Sequence, residues 1–327
     1  MHLPEGHIYL HRLAPTPLVP VQLDPALPPV WCKLEFLNPS GSTKDRIARY
    51  ILTKAWREGV IKRGDTVIEA SSGSTSIAMA LACAQLGLRF IAVLPEGVSA
   101  ERGLMIRGYG GELVFTPKAE GILGALKATE RLARETGAFL PRQFSNPDNA
   151  EAHERYTARE ILDQIPGGVV DWVISGVGTG GTLVGLYNGL HRAGCDVRPV
   201  LARPVELTGA ADAECCSFSS RIPGVVECVS TIFKADAFPG LRTVEVPGKK
   251  ALEATRALIG LGFPVGPSSG LNYCASVEIL RDLQAEGSTA GAKPGVKVVT
   301  VFPDRMERYF TTELFRPIRE YTEALTV

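Results

Sequence analysis

The amino-acid sequence predicts an α/β fold made of two three-layer α/β/α domains, each built on a mostly parallel sheet. Short runs rich in β-branched residues alternate with helical patterns through most of the chain. Alternation of this kind places helices on both faces of parallel sheets. The length of 327 residues is sufficient for two such units. Turn residues at 146–149 and a Pro-Gly-Gly break at 166–168 indicate a change of domain, with a cleft between the two.

The individual elements follow from local patterns. Six runs have the composition of buried strands, and they cover 66–69, 90–94, 112–115, 172–175, 199–201 and 297–302. Apolar residues at helical spacing predict helices, and these cover 47–56, 76–85, 123–135, 152–164 and 271–282. The segment from about 203 to 240 is rich in turn residues and has no clear period, so no element is assigned there.

The composition argues against several classes of partner. Lys and Arg number 35, as do Asp and Glu, so no overall field favours nucleic acid or an anionic membrane. No apolar run is long enough for a membrane span, and the amino terminus lacks a signal-peptide pattern. The seven cysteines are scattered without a CxxC pair, which argues against a disulfide framework or a metal site. We therefore expect a cytoplasmic protein without a bound metal.

Lys44 is the first candidate for a catalytic residue. It follows a Gly/Ser turn at 40–43 and lies at the entrance of the helix predicted at 47–56. Backbone N–H groups converge at a helix start and attract anions, and an ammonium beside this positive end loses its proton more readily. A Schiff-base lysine needs this property. The alternative interpretation is a solvated lysine in a capping turn.

A cluster of hydroxyl groups follows the strand predicted at 66–69. Ser71, Ser72, Ser74 and Thr75 surround Gly73 at the start of the next helix. Hydroxyls and free N–H groups at a helix start are suited to binding a carboxylate. Capping of the helix would need only one of these hydroxyls. For this motif alone, both interpretations stay open.

A glycine-rich turn follows the strand predicted at 172–175. Glycines let the backbone approach a phosphate closely, and successive N–H groups form an anion nest. The spacing of Gly176, Gly178 and Gly181 also matches the dinucleotide pattern G-x-G-x-x-G. This raises a second hypothesis, a nicotinamide-dependent oxidoreductase with Glu206 as ribose ligand. Against it, that class of fold uses its first strand for the turn, whereas five strand and helix elements precede it here.

A fourth turn, at 265–270, leads into the helix predicted at 271–282. Taken alone it is a capping turn, because serines at helix starts commonly cap. With a phosphate nest elsewhere in the chain, the hydroxyl of Ser268 is also a candidate partner for a neutral ring nitrogen.

Together the four motifs resemble those of fold-type II enzymes that use pyridoxal 5'-phosphate (PLP), which have a tryptophan synthase β-like fold. Within that group the chain is most similar to the cysteine synthase and cystathionine β-synthase family. Further matching stretches are Thr-Pro-Leu at 16–18, Leu-Pro-Glu with Ser, Glu and Arg at 94–102, Gln-Phe-Ser-Asn-Pro at 143–147, and Pro-Asp with Glu-Arg-Tyr at 303–309. The resemblance implies a smaller domain at 36–149 and a larger one formed by 1–35 and 150–327.

The resemblance also implies a role for each motif. Lys44 would form the Schiff base with PLP and later remove the Cα proton of the substrate, and Ser268 would contact the pyridine nitrogen. The residues implied to hold the cofactor phosphate are Gly178, Thr179, Gly180, Gly181 and Thr182. Those implied to bind the substrate carboxylate are Ser71, Ser72, Gly73, Thr75 and Gln143.

The implied reaction is β-replacement on a serine-derived amino acid. In its simplest form O-acetylserine loses acetate and sulfide adds, which gives cysteine. The alternatives are β-elimination from cysteine with release of sulfide, and replacement by another nucleophile. The resemblance further implies a homodimer.

Two positions depart from the family pattern. Ser74, the remaining cofactor-binding candidate, stands where the family usually has an asparagine that hydrogen-bonds the ring hydroxyl of PLP. Serine is shorter, so we expect this contact to be lost or to pass through water. The segment 223–228 replaces the usual Gly-Ile-Gly substrate loop, and Glu227 or Cys228 there would change which leaving group or nucleophile fits.

Overall fold

Two sheets organise the chain in a computed structural model that describes residues 14–205, 222, 225, 229–290 and 295–318. The strands in chain order are β1 (Leu18–Val21), β2 (Val30–Lys33), β3 (Thr66–Ala70), β4 (Arg89–Pro95), β5 (Glu112–Thr116), β6 (Trp172–Gly176), β7 (Arg198–Val205), β8 (Arg242–Pro247) and β9 (Val298–Val301). The larger sheet has the order β1-β2-β9-β6-β7-β8, and the smaller sheet has the order β3-β4-β5.

Parallel pairing dominates both sheets. Only β1 and β2 pair in antiparallel fashion among the described strands, with Leu18 opposite Lys33. The pairs β2–β9, β9–β6, β6–β7 and β7–β8 are parallel, as are β3–β4 and β4–β5. The α/β fold with mostly parallel sheets that the sequence predicts is confirmed.

The helices cover these sheets. In chain order they are α1 (Lys44–Arg57), α2 (Ser74–Leu86), α3 (Ala100–Gly108), α4 (Gly121–Thr136), α5 (Asp148–Ala152), α6 (Ala158–Gln164), α7 (Gly181–Arg192), α8 (Gly248–Gly260) and α9 (Pro267–Ala290). A π-helical turn at His153–Thr157 joins α5 to α6, so that 148–164 is one continuous helical run. Below, this run is called the backing helix.

Both sheets are buried on both faces. In the larger sheet, α8 and α9 contribute to the core on one face, with Leu258 and Leu271, while α6 and α7 contribute Ile161 and Leu183 to the other. In the smaller sheet α1, α2 and α3 pack on one face and α4 on the other. Each sheet therefore forms the middle of three layers. The domain boundaries given above, 36–149 against 1–35 with 150–327, stay a prediction.

The differences from the sequence prediction have local causes. All six predicted strands form, as β3 to β7 and β9, but β1, β2 and β8 were not predicted. β1 and β2 have only four residues, and β8 is an edge strand with alternating exposed and buried side chains. Helix α1 begins three residues earlier than predicted, because its polar first turn carries no apolar period. Glu206 and the segment 223–228, apart from Val225, lie outside the described residues.

None of the described helices combines the length and apolar character that a membrane crossing requires. Within the same ranges, no three His, Cys, Asp or Glu side chains are grouped so that they could hold a metal ion.

Candidate active site

An open cavity lies at the carboxyl ends of β3, β6 and β9. In open α/β sheets this edge is where ligands bind, because the loops after the strands diverge there. The cavity brings together residues from the start of α1, the turn before α2, the turn before α7 and the start of α9. The candidates from the sequence that line it are Lys44, Ser72, Ser74, Thr75, Gln143, Gly178, Thr179, Gly180, Thr182 and Ser268.

Three of the candidates do not line the cavity. The hydroxyl of Ser71 accepts hydrogen bonds from the N–H groups of Gly73 and Ser76, at 3.0 and 3.3 Å, so it organises the turn from inside. Gly73 adopts φ 135° with the Arg102 side chain packed against it, which leaves no space for a Cβ atom. Gly181 packs against the Asn149 amide, which leaves no space for a Cβ atom. These three residues shape the two turns.

Lys44 is the first residue of α1 and lines the cavity. Burial lowers the pKa of its ammonium to about 8, and the carboxylate of Asp304 acts in the opposite direction. Removing a cation from water disfavours its charged form. The neutral amine that attacks an aldehyde is therefore accessible near neutral pH.

The hydroxyl-rich turn is connected to a second segment by side-chain hydrogen bonds. Thr75 donates its hydroxyl to Oε1 of Gln143 at 2.6 Å, and Nε2 of Gln143 donates to the carbonyl of Ala70 at 2.6 Å. The nearby N-terminus of α2 adds free N–H groups and a positive dipole end. The second hydrogen of the Gln143 amide and the N–H groups at the start of α2 suit a carboxylate.

The glycine-rich turn leads into the N-terminus of α7. Gly180 has φ 82°, a conformation that favours glycine, and it closes the turn. The backing helix supports two threonines of the turn: Nδ2 of Asn149 donates to Oγ1 of Thr179 at 3.0 Å, and Nε2 of His153 lies 3.3 Å from Oγ1 of Thr182. Burial lowers the pKa of His153 to about 3, so its ring is neutral.

A row of glycines brings α7 directly against the backing helix. Gly181, Gly185 and Gly189 are spaced by four residues and share one face of α7. A Cβ at Gly185 would collide with the carbonyl oxygen of Ala150, and one at Gly189 would collide with Ala158. The close approach keeps the glycine-rich turn within hydrogen-bond reach of the backing helix.

The fourth turn places Ser268 in the cavity as the second residue of α9. Four residues later, Oδ1 of Asn272 accepts the N–H of Gly176 at 2.7 Å, and its Nδ2 donates to the carbonyl of Val301 at 2.9 Å. Asn272 therefore joins the carboxyl ends of β6 and β9 to α9, which fixes Ser268 relative to the glycine-rich turn.

Two charged residues in the cavity were not among the sequence candidates. Arg102 donates to the carbonyl of Ser72 at 3.1 Å and lies 5.1 Å above the Tyr309 ring. Asp304 accepts the Tyr309 hydroxyl at 2.7 Å and the Ser74 hydroxyl at 3.3 Å. Arg102 and Asp304 lie within the stretches at 94–102 and 303–309 that resemble the family. The resemblance could therefore have identified them as candidates. The Ser74 hydroxyl proton is directed to Asp304.

A partly buried lysine with a lowered pKa, a glycine-rich turn at a helix start and a hydroxyl-rich turn line one cavity, and this combination suits a phosphorylated aldehyde cofactor and an amino acid. The family model described as pyridoxal-phosphate dependent enzyme matches residues 10–306. The chain therefore belongs to this family and is a PLP-dependent enzyme. Of the two cofactors considered for the glycine-rich turn, PLP and a nicotinamide dinucleotide, the family match identifies PLP.

Three known proteins show the breadth of similar enzymes. Cysteine synthase from Staphylococcus aureus (strain N315) is 36% identical over 303 residues, which cover 92% of this chain and 94% of that protein. The crystal structure of O-ureido-L-serine synthase is 32% identical with a TM-score of 0.83, covering 99% of this chain and 100% of that one. A hydrogen sulfide-producing enzyme from Fusobacterium nucleatum is 28% identical with a TM-score of 0.79, covering 93% and 100%.

Proposed function

We propose that this enzyme catalyses β-replacement on an activated serine, in its simplest form O-acetylserine plus sulfide to give cysteine. The observation that carries the proposal is the shared cavity of Lys44, the turn at 72–75 and the turn at 178–182. An amine, a carboxylate-binding turn and an anion nest are the groups that an amino acid and PLP require together. The cysteine synthase relative supports the same reaction.

The residues present fit PLP. Gly178 to Thr182 would hold the phosphate, because the positive-φ turn at Gly180 and the start of α7 offer N–H groups and two hydroxyls. Lys44 would bond the aldehyde carbon, and Ser268 would meet the ring nitrogen. PLP, when bound, supplies an electron sink for charge that develops at the substrate Cα. A hydroxyl at Ser268, in place of a carboxylate, does not favour a proton on the ring nitrogen.

In this proposal the substrate carboxylate binds to Ser72, Thr75 and Gln143. The Gln143 amide has two N–H donors, and one of them is used by Ala70, so the other is available to the cavity. The start of α2 adds its dipole. A carboxylate fixed here brings the substrate Cα toward Lys44, whose neutral amine accepts the proton from that carbon.

The position of Ser74 supports a second candidate function, β-elimination from cysteine with release of sulfide. Its hydroxyl is committed to Asp304, so the cofactor side of the turn differs from the family pattern. The similarity to a hydrogen sulfide-producing enzyme agrees with this candidate. The similarity to O-ureido-L-serine synthase agrees with replacement by another nucleophile.

The deciding experiment compares two reactions of the purified holoenzyme. We expect cysteine to form from O-acetylserine and sulfide at least about tenfold faster than sulfide is released from cysteine, a difference of about 1.4 kcal/mol in activation free energy. Cysteine is measured with acid ninhydrin and sulfide with methylene blue. Faster sulfide release would establish the second candidate. Neither reaction, in protein that shows the visible absorption of bound PLP, would point to another nucleophile.

A homodimer and a cytoplasmic location stay predictions of the family resemblance. Sedimentation of the holoenzyme tests the first, and fractionation of cells that produce the protein tests the second.

A further inference from the structure

Glu69 is a buried carboxyl group just behind the cavity, at the end of β3. Its side chain is 1% exposed. One carboxyl oxygen accepts the N–H of Ala70 at 3.0 Å, and the other accepts the N–H of Gln143 at 3.1 Å. Glu69 and Gln143 are 74 positions apart in the sequence. Glu69 therefore joins the strand before the hydroxyl-rich turn to the segment that carries Gln143.

Every polar group of Gln143 has a partner in this arrangement. Besides the N–H held by Glu69, its carbonyl accepts Nδ2 of Asn149 at 2.7 Å. Its side-chain amide is placed between the carbonyl of Ala70 and the hydroxyl of Thr75. Since an amide nitrogen has two hydrogens and Ala70 takes one, the second can be offered to a ligand.

Arg142, the residue before Gln143, has an unusual backbone conformation that helps to orient the Gln143 N–H toward Glu69. Arg142 has φ 53°, a region that non-glycine residues rarely adopt. Its carbonyl accepts the N–H groups of Ser145 and Asn146, and its guanidinium pairs with Glu130 at the surface. Strained backbone persists where surrounding contacts fix it, and such sites cluster around ligands. The turn directs the Gln143 N–H toward Glu69.

We propose that Glu69 is a positioning residue for substrate recognition: it fixes the Gln143 main chain so that the side-chain amide meets the carboxylate of the amino-acid substrate. The inference rests on the proposed function, which places that carboxylate at 72–75. Burial raises the pKa of Glu69 to about 8, so the protein retains a carboxyl group at a position that disfavours charge. Glu69 does not line the cavity, and its effect is on substrate affinity.

The first test is Glu69→Gln, which keeps the shape but replaces one accepting oxygen with an NH₂ group. The amide has one accepting oxygen for the N–H groups of Ala70 and Gln143, so the two contacts cannot both persist and the side chain shifts relative to Gln143. We therefore expect the substrate dissociation constant to rise about tenfold, which corresponds to one lost hydrogen bond. The turnover number and the absorption of bound PLP stay within about twofold of wild type. The matched control is Glu130→Gln, which removes an exposed carboxylate that also lies beside Arg142.

A second pair of variants covers the case in which Glu69→Gln does not fold. Arg142 is largely exposed, so substitutions there are tolerated by the core. Arg142→Gly keeps the left-handed turn and should bind substrate as wild type does, whereas Arg142→Val opposes it and should weaken binding about as much as Glu69→Gln. Equal affinity in Arg142→Val and wild type would overturn the inference, as would wild-type affinity in a folded Glu69→Gln. Failure of the wild type to bind O-acetylserine would instead count against the proposed function.

Discussion

The two turns that surround the cavity are built by different means. The turn at 71–75 is held by side-chain hydrogen bonds, through Ser71 within it and through Gln143 from a distant segment. The turn at 178–182 is held by close backbone packing, because Gly181, Gly185 and Gly189 let α7 lie against the backing helix. The first depends on polar side chains, whereas the second adds to its hydrogen bonds at Thr179 and Thr182 a close helix contact that only glycines allow.

The difference suits the ligands proposed for each turn. A cofactor phosphate stays through many turnovers, and a rigid, packed nest keeps its N–H groups oriented. A substrate carboxylate enters and leaves in each cycle, and hydroxyl and amide groups can adjust to it. Substitutions in the turn at 71–75 should therefore weaken substrate binding. Substitutions that disturb the packing of the turn at 178–182 should lower the stability of the protein.

The largest effect is expected for Lys44, which lines the cavity together with both turns. Lys44→Ala should reduce turnover about a thousandfold or more, because no other lysine of the described residues lines the cavity to replace the amine proposed to bond PLP and to accept the Cα proton. Lys54→Ala, on the exposed part of the same helix, is the control and should retain activity. Turnover is measured with O-acetylserine and sulfide. Wild-type rates in Lys44→Ala would disprove the assigned role.

The packed turn is tested by adding one methyl group. Gly185→Ala places a Cβ against the Ala150 carbonyl, and we expect about 1–3 kcal/mol lower free energy of unfolding together with weaker PLP binding. Gly260→Ala, at the exposed end of α8 with no atom near the added Cβ, should be neutral or stabilising. Urea unfolding of both variants measures the difference. If the two lose the same stability, close packing of α7 is not what holds the turn.

The hydrogen-bonded turn is tested by removing one hydroxyl. Thr75→Val takes away the donor to Gln143, so the substrate dissociation constant should rise about tenfold while the free energy of unfolding changes by about 1 kcal/mol. Thr129→Val is the control, since Thr129 is equally buried and donates only to a helix carbonyl in α4. Substrate titration followed by absorbance distinguishes them. A stability loss without an affinity loss in Thr75→Val would contradict the comparison.

The smallest effect concerns the charge of Lys44. Its pKa of about 8 means that the rate of PLP capture by the apoprotein should rise with pH and level off above that value. Asp304 stabilises the ammonium, so Asp304→Asn should move the midpoint to lower pH, by up to about one unit. Glu307→Gln, which removes a carboxylate paired with Arg305, is the control. A midpoint that stays in place or rises would show that Asp304 has no electrostatic role here.

Much of the fold and of the cavity was predictable because the information is local. Buried parallel strands are apolar runs, and each turn that forms the cavity is a contiguous motif directly before a helix. Ser72, Thr75, Thr179 and Ser268 were therefore found from short stretches, and the structure brings them to one cavity.

The remainder depends on contacts between distant residues. Asp304 meets Ser74 across 230 positions, and Glu69 meets Gln143 across 74, so no local pattern announces either pair. The glycine row in α7 has a visible spacing, but its meaning depends on a partner helix that the sequence does not specify. The hydroxyl of Ser71 was expected at the ligand, whereas it is buried and the turn itself uses it.

The strand order has a consequence for how the molecule is made. β9, the last of the described strands, lies in the middle of the larger sheet between β2 and β6, and Ser42 forms a β-bridge with Asp304 just after it. During synthesis the smaller sheet, whose last strand ends at Thr116, can assemble early, whereas β2 and β6 each keep one unpaired edge until β9 at 298–301 has emerged. The segment before Lys44 gains its bridging partner only after that strand, so we expect a chain cut before β9 to lack a complete site and to expose strand edges that favour aggregation.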